Sequence, residues 1–462
     1  MIILGTNSIK DTGFDVDNSL RFNSGSSDNL SKTYGANATD GRKATFSCWV
    51  KRGKLGTRQQ ILTSYDGGAG GQDLEFEAST DILSYNGGSG DNDTNMVFRD
   101  TSAWYHIVVA QDTTQSSAAT QVKIYVNGVQ QSLGTNNGVN VVSQFGKNGE
   151  AARIGSNHDN STHYFDGYIS EFVFIDGQQL APTSFGEFDE DSGIWKPKNV
   201  SGLTFGTNGF YLEFKQAGTS QNSSGMGADT SGNDNHFAVT NLTAIDQTTD
   251  TCTNNFATLN PLDVNPSSAG DVFTEGNLKL VTNNNSNAAG TRSNIAVSSG
   301  KWYAEVKYTS ATAWNGVAAM DVNFHTSSMG AGTISWYQGR TLYVDGSNTA
   351  NWGSAVSAGD IVGIALDMDN SRVTISQGGQ WWGGSSFNQA QPNTYQALTS
   401  GYDTWGFMCR SGSSASTSEW NFGSPPYAIS SSNTDGNGYG NFEYAVPSGY
   451  YALNTKNLAE YG

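Results

Sequence analysis

Residues 165–198, FDGYISEFVFIDGQQLAPTSFGEFDEDSGIWKPK, constrain the fold more than any other stretch. Positions 168–176 alternate apolar and polar and are rich in Ile, Phe and Val, which predicts a strand with one face buried and one wet. Gly177 closes that strand, and an acidic, Gly-bearing turn runs on to Trp195. The block therefore closes a first domain made of similar runs.

Those runs fall at 19–22, 45–51, 60–64, 74–77, 82–85, 104–110, 122–126 and 152–154, with DGGAGGQ, NGGSGDND and NGVQ between them as turns. Asn127-Gly128 tolerates the positive φ of a tight hairpin. A second series occupies 271–430, at 277–281, 301–307, 316–322, 341–344, 360–367, 372–376, 405–409 and 419–422, with 367–370 as a hairpin turn. Almost no segment has a helical period. Residues 196–270 carry one strand, FYLEF, in Gly/Ser/Asn/Asp-rich sequence and read as an extended connector with little core of its own. The expected organisation is a β-sandwich at 1–195, the connector at 196–270, a second sandwich at 271–430 and a C-terminal arm at 431–462. The expected fold is all-β, two antiparallel jelly-roll sandwiches joined by an extended, loop-rich connector.

Composition agrees. Eleven Trp, 20 Tyr and 22 Phe in 462 residues can bury much apolar area, which disordered chains lack. A formal charge of −18 argues against a nucleic-acid binder, whose footprint is basic. No stretch reaches the roughly 20 apolar residues of a membrane span. MIILGTNSIK has neither the positive start nor the apolar run of an export leader, so none is expected. Cys48, Cys252 and Cys409 are sparse and odd in number, which predicts no disulfide scaffold, and Cys48, within TFSCWVK, reads as a small buried hydrophobe.

Three segments of the first series carry a resemblance. SLRF at 19–22, TFSCWVKRG at 45–53 (Cys48 standing where Gly is more usual) and the 165–198 block resemble concanavalin A-like lectin/glucanase, or laminin-G-like, domains of phage particle proteins. In the second series, KWYAE at 301–305 and GDIVGIALD at 359–367 resemble SPRY domains. The resemblance implies a virion component, folded in a bacterial host cytoplasm and exposed on the particle, oligomeric there, with other virion proteins and host-surface glycan as partners.

Because that fold also hosts glucanases, Asp73, Glu75 and Glu77 are candidate catalysts: alternate strand positions put three carboxylates on one face. The glucanase pattern begins with Glu and has Asp in the middle, and this sequence departs at both positions. No cofactor is expected, and calcium, which such domains often carry on the rim, is the alternative. Asp66, Asp91 and Asp93, read as loop residues, are its candidate ligands, against the simpler reading that Asp and Asn cap turns. His106, His158, His163, His236 and His325 have no metal-ligand spacing. Trp314, Trp336, Tyr337, Trp352, Trp381 and Trp382 lie in or beside Gly/Ser/Asn-rich stretches and are candidate sugar or partner contacts, with one of the adjacent Trp381 and Trp382 expected outside the sandwich.

The expected function is non-enzymatic: a tail fibre or appendage protein recognising glycan or docking to other virion proteins. The alternatives are a capsid decoration protein and a glucan-cleaving glycosidase using the three acids.

Overall fold

The computed structural model describes residues 11–65, 71–88, 90–134, 139–265, 270–282, 289–309, 312–323, 325, 329–411 and 415–462. The chain divides into two compact units, Asp11–Thr253 and Asn254–Gly462. Each is an antiparallel β-sandwich, and the expected all-β jelly-roll architecture is what the chain adopts.

In the first unit an eight-stranded sheet has Lys43–Arg52 and Gly167–Asp176 at its centre, flanked by Trp104–Asp112 and Ser19–Phe22. The facing seven-stranded sheet runs in the order Ala238–Thr240, Asn29–Thr33, Ala151–Ile154, Gln59–Tyr65, Gln72–Phe76, Ile82–Asn86 and Asp91–Val97. Between them Phe22, Phe46, Cys48, Leu74, Phe76, Tyr85, Phe172 and Phe174 form the core. Period-two alternation delivers these side chains to one side of each sheet.

The Gly167–Asp176 strand corrects the expectation of one wet face, for all ten of its residues are buried. Its second face is covered by the chain that follows it. Phe185, Val200, Phe205 and Tyr211 pack on Val173 and Ile175, and Trp195 packs with Trp49, Trp104 and Tyr168. The polar positions of that face are neutralised locally. His106 lies between Trp49, stacked at 4.6 Å, and Trp195, at 5.9 Å. Its Nδ1 accepts from Trp195 Nε1 at 2.9 Å, so Nε2 carries the proton and faces Ser47 Oγ at 2.9 Å. Burial presses the imidazole pKa down to about 3, leaving it neutral. Lys51 meets Asp250 at 2.8 Å with both side chains 1% exposed.

The connector expected at 196–270 is likewise corrected. Phe210–Leu212 pairs with Gly167–Asp176, Ala238–Thr240 with Asn29–Thr33, and Gln247–Thr248 with Ser19–Phe22. Phe210, Leu212, Phe214, Met226, Phe237 and Leu242 belong to the first core. Few apolar residues sit in this stretch, but all of its Phe residues are buried, as are Leu212, Met226 and Leu242, which composition alone does not report.

In the second unit a ten-stranded sheet centred on Lys301–Tyr308 and Ile361–Asp367 faces a six-stranded sheet centred on Ala313–Ala319 and Thr333–Tyr337. The arm expected at 431–462 is part of this unit. Tyr451–Ala452 pairs in parallel with Lys301–Tyr308, and the Thr455–Tyr461 helix places Leu458 in the core. Among the described residues no helix is long and apolar enough to cross a membrane. Cys48 and Cys409 are buried free thiols, as expected of Cys48.

If 196–253 is core, truncating its most buried ring must destabilise the first unit. Phe210→Ala, at a position with no exposure, is expected to cost about 3–5 kcal/mol in chemical denaturation of the first unit. A loss under about 0.5 kcal/mol would mean that the segment is a surface strap.

Candidate functional site

The seven-stranded sheet turns its second face away from the core, and the strand registers line up polar side chains across it. One row runs Ser31, Arg153, Thr63, Asp73, Asn86 and Asp91. A second runs Gln60, Glu75, Ser84 and Asp93. Leu74 and Phe76, between the acids in sequence, point into the core, as the alternation predicts. The two sets of acids that the sequence offered for different chemistries, Asp73/Glu75 and Asp91/Asp93, thus share one surface. Ile82–Asn86 is the strand that joins them.

Asp91 and Asp93 correct the sequence reading. They sit on a strand, not in loops, because NGGSGDND contains the start of Asp91–Val97 as well as a turn. Asp66 lies outside the described residues. Among the described residues no group of three or more His, Cys, Asp or Glu is placed to hold a metal ion.

Arg58, which the sequence gave no reason to select, organises the acids. Its Nη2 lies 3.1 Å from Glu75 Oε1 and 2.7 Å from Glu77 Oε1, while the side chain is 40% exposed and Glu75 only 3%. Gln60 Nε2 is 3.4 Å from Asp73 Oδ2. Burial raises the Asp73 pKa to about 7, against the pull of Arg58, and raises Glu75 to about 8 with help from the Asp73 charge. At neutral pH the pair therefore retains protons that isolated carboxyls would have lost. Beside it, His158 stacks on Tyr65 at 3.9 Å, and its carbonyl accepts from Arg153 Nε at 2.9 Å.

The aromatic candidates of the second unit are mostly core, which corrects their assignment as contacts. Trp336, Trp352, Trp381 and Trp382 are all buried. Trp352 stacks on Trp382 at 5.3 Å and 7°, and Trp336 meets Trp352 at 5.3 Å, within the sandwich. Trp381 and Trp382 do face opposite sides, but Trp381 packs with Tyr303, Phe442 and Tyr450 on the outer face of the ten-stranded sheet, so neither is exposed. Only Trp314 and Tyr337 are partly exposed. They are cross-strand partners 5.6 Å apart, joined by Tyr343 at 5.1 Å from Trp314 and by the Arg410 guanidinium at 5.7 Å from its ring. Tyr343 was missed because cross-strand adjacency is a property of register, not of spacing along the chain.

Residues 23–180 match the family model of the concanavalin A-like lectin/glucanases superfamily. No curated protein matches the chain. Among solved structures, the SPRY domain of human HERC1 is 14% identical, covering 35% of this chain and 96% of that one at a TM-score of 0.29. A putative carbohydrate binding protein from Bacteroides ovatus is 13% identical, covering 49% of this chain and 58% of that one at 0.36. Domain 4 of AbnA, an arabinanase from Geobacillus stearothermophilus solved with arabinotriose, is 20% identical, covering 34% and 69% at 0.26. All three TM-scores lie below 0.5.

The raised acids make stability depend on pH with a fixed sign. Below about pH 4 both states hold the protons. Between there and about pH 8 the unfolded chain releases them first, so the stability these groups support falls as pH rises. Denaturation midpoints of the first unit are expected to drop across that window, and Asp73→Asn with Glu75→Gln to flatten the drop. An unchanged profile in the double variant would place the pH dependence elsewhere.

Proposed function

We propose that this chain is a non-enzymatic component of a virion, an appendage or tail-fibre protein that recognises sugars of a host surface through the outer face of its seven-stranded sheet. The observation that carries the reading is the pair of cross-strand rows. They set ten hydrogen-bonding side chains, from Ser31 to Asp93, on one rigid face. A sugar offers hydroxyl donors and acceptors, and such a grid meets them without rearrangement. The match of residues 23–180 to a lectin/glucanase superfamily supports a sugar as the ligand. The virion placement is supported by the motifs at 19–22, 45–53 and 165–198. On a particle, several copies beside other virion proteins would multiply a weak single-site affinity. Binding without cleavage is supported by Arg58, whose guanidinium reaches both Glu75 and Glu77.

A second reading, glycoside hydrolysis, is favoured by one observation: two carboxyls at alternate strand positions with pKa values raised to about 7 and 8, as a general acid requires.

A glycan array separates the two. Wild-type protein is expected to bind a defined set of glycans, with Asn86→Ala and Asp91→Ala weakening binding at least about 10-fold, the loss of roughly 1.4 kcal/mol. No binding above background would overturn the recognition reading. Reducing-end release from a bound glycan, lost in Glu75→Gln, would establish the hydrolase instead.

A further inference from the structure

We propose that the row Gln60, Glu75, Ser84 and Asp93 is a site for an amine-bearing glycan, whose ammonium group takes the place now held by the Arg58 guanidinium. The inference rests on the reading of this face as a sugar surface and names the class of sugar.

The row is short of donors. Gln60 Oε1, Glu75 Oε2 and Asp93 Oδ1 are all buried from solvent, and none has a hydrogen-bond partner among the described residues. Gln60 is 5% exposed and Glu75 3%. They are neighbours in register: Gln60 opposes Glu75, Glu75 opposes Ser84, and Ser84 opposes Asp93. An unsatisfied buried acceptor costs about 1–3 kcal/mol, so three in one row call for an explanation. A proton on Glu75 makes its carboxyl a donor to one neighbour such as Gln60, and Asp93 Oδ1 still has none. What is missing is a ligand that donates several times and accepts little.

Charge selects the ligand class. Asp73, Glu77 and Asp91 flank the row on the same face, and the cation lying over its centre is Arg58. That side chain shows what the acids accept: one Nη2 group reaches both Glu75 and Glu77. It is also replaceable, being 40% exposed on a long flexible stem, and ion pairs at such exposure are worth little. An ammonium on a sugar ring has three donors of the same sign, and in the place of the Arg58 guanidinium it would meet Glu75 and Glu77, with the ring hydroxyls as further donors to the row. An acetylated amine loses both the charge and two of the donors, so it should be refused. A neutral hexose meets the acceptors without the Coulomb attraction.

Calorimetric titration with a fully deacetylated β-1,4-linked glucosamine oligomer and with its N-acetylated counterpart tests the proposal on the full chain. The deacetylated form is expected to bind at least about 10-fold more tightly, the equivalent of one charge-assisted hydrogen bond. Arg58→Gln should tighten binding of the deacetylated form several-fold, because the competing cation is gone, whereas a merely structural Arg58 would leave it unchanged or weaken it. Glu75→Gln should weaken it at least about 10-fold. If that variant fails to fold, Asp93→Asn, whose side chain is only partly buried, carries the same expectation. Equal affinity for the two oligomers, or no gain in Arg58→Gln, overturns the proposal. If neither oligomer binds while neutral glycans bind the face on an array, the amine inference fails and the sugar-surface reading stands. If no glycan binds at all, both fail.

Discussion

The Trp195–His106 hydrogen bond, 2.9 Å long and sealed between stacked rings, is where the first unit is closed. A central strand of a sandwich has two faces, and a single facing sheet covers one. The second face of Gly167–Asp176 carries Tyr168, Val173 and Ile175, which would be an exposed apolar strip without cover. The chain supplies that cover itself, by folding residues 180–212 back over the sheet. Trp195 then occupies the space beside Gly128, where an added Cβ would lie 2.5 Å from the indole. Gly128 also takes a positive φ in the Asn127–Gly128 turn, as does Asn127, so two requirements converge on one glycine. Of the two ring nitrogens of His106, one accepts and the other donates, so the imidazole is satisfied only when neutral. Burial in this setting is what holds the imidazole pKa low.

The second unit solves the same problem with its C-terminal residues. Glu305, without exposure, accepts from Tyr303 Oη at 3.0 Å, Asn421 Nδ2 at 3.2 Å and the backbone amides of Glu443 and Tyr444 at 3.0 and 2.8 Å. Burial raises its pKa to about 7 against those donors. The carboxyl fixes residues 443–444 on the sheet, and Phe442, Tyr450 and Ala452 complete the layer over Tyr303 and Trp381. In both units, then, the outer side of one sheet is roofed by its own chain. In the first unit this leaves the seven-stranded sheet to present a polar face, and that asymmetry gives the proposed site its place.

The sequence was most informative where a property depends on neighbours along one strand. Alternation in Gln72–Phe76 placed Asp73 and Glu75 outward and Leu74 and Phe76 inward, and both held. The hairpin turn at 367–370 held too, with Asp367 Oδ1 capping Asn370 as Asp does in turns. It was least informative where a second segment decides the environment. Trp381 and Trp382 alternate as any strand pair must, but whether the outer one sees solvent depends on residues 442–452, some 60 positions away in sequence. The Gly/Ser/Asn/Asp-rich composition of 196–270 argued for a connector because sparse apolar residues look insufficient for a core. They suffice because they extend an existing one.

The sequence by itself determined the class of fold, the strands and the faces their side chains take, because strand periodicity is set by backbone geometry local to each run. Only the tertiary structure decided which faces are covered and which acids share a surface. Register brings Asp73, Glu75, Asp91 and Asp93 together, and burial then shifts two of them away from ordinary carboxyl behaviour. Both effects arise between neighbouring strands, whose register and cover are set by pairing and packing and cannot be read from the spacing of the acids alone.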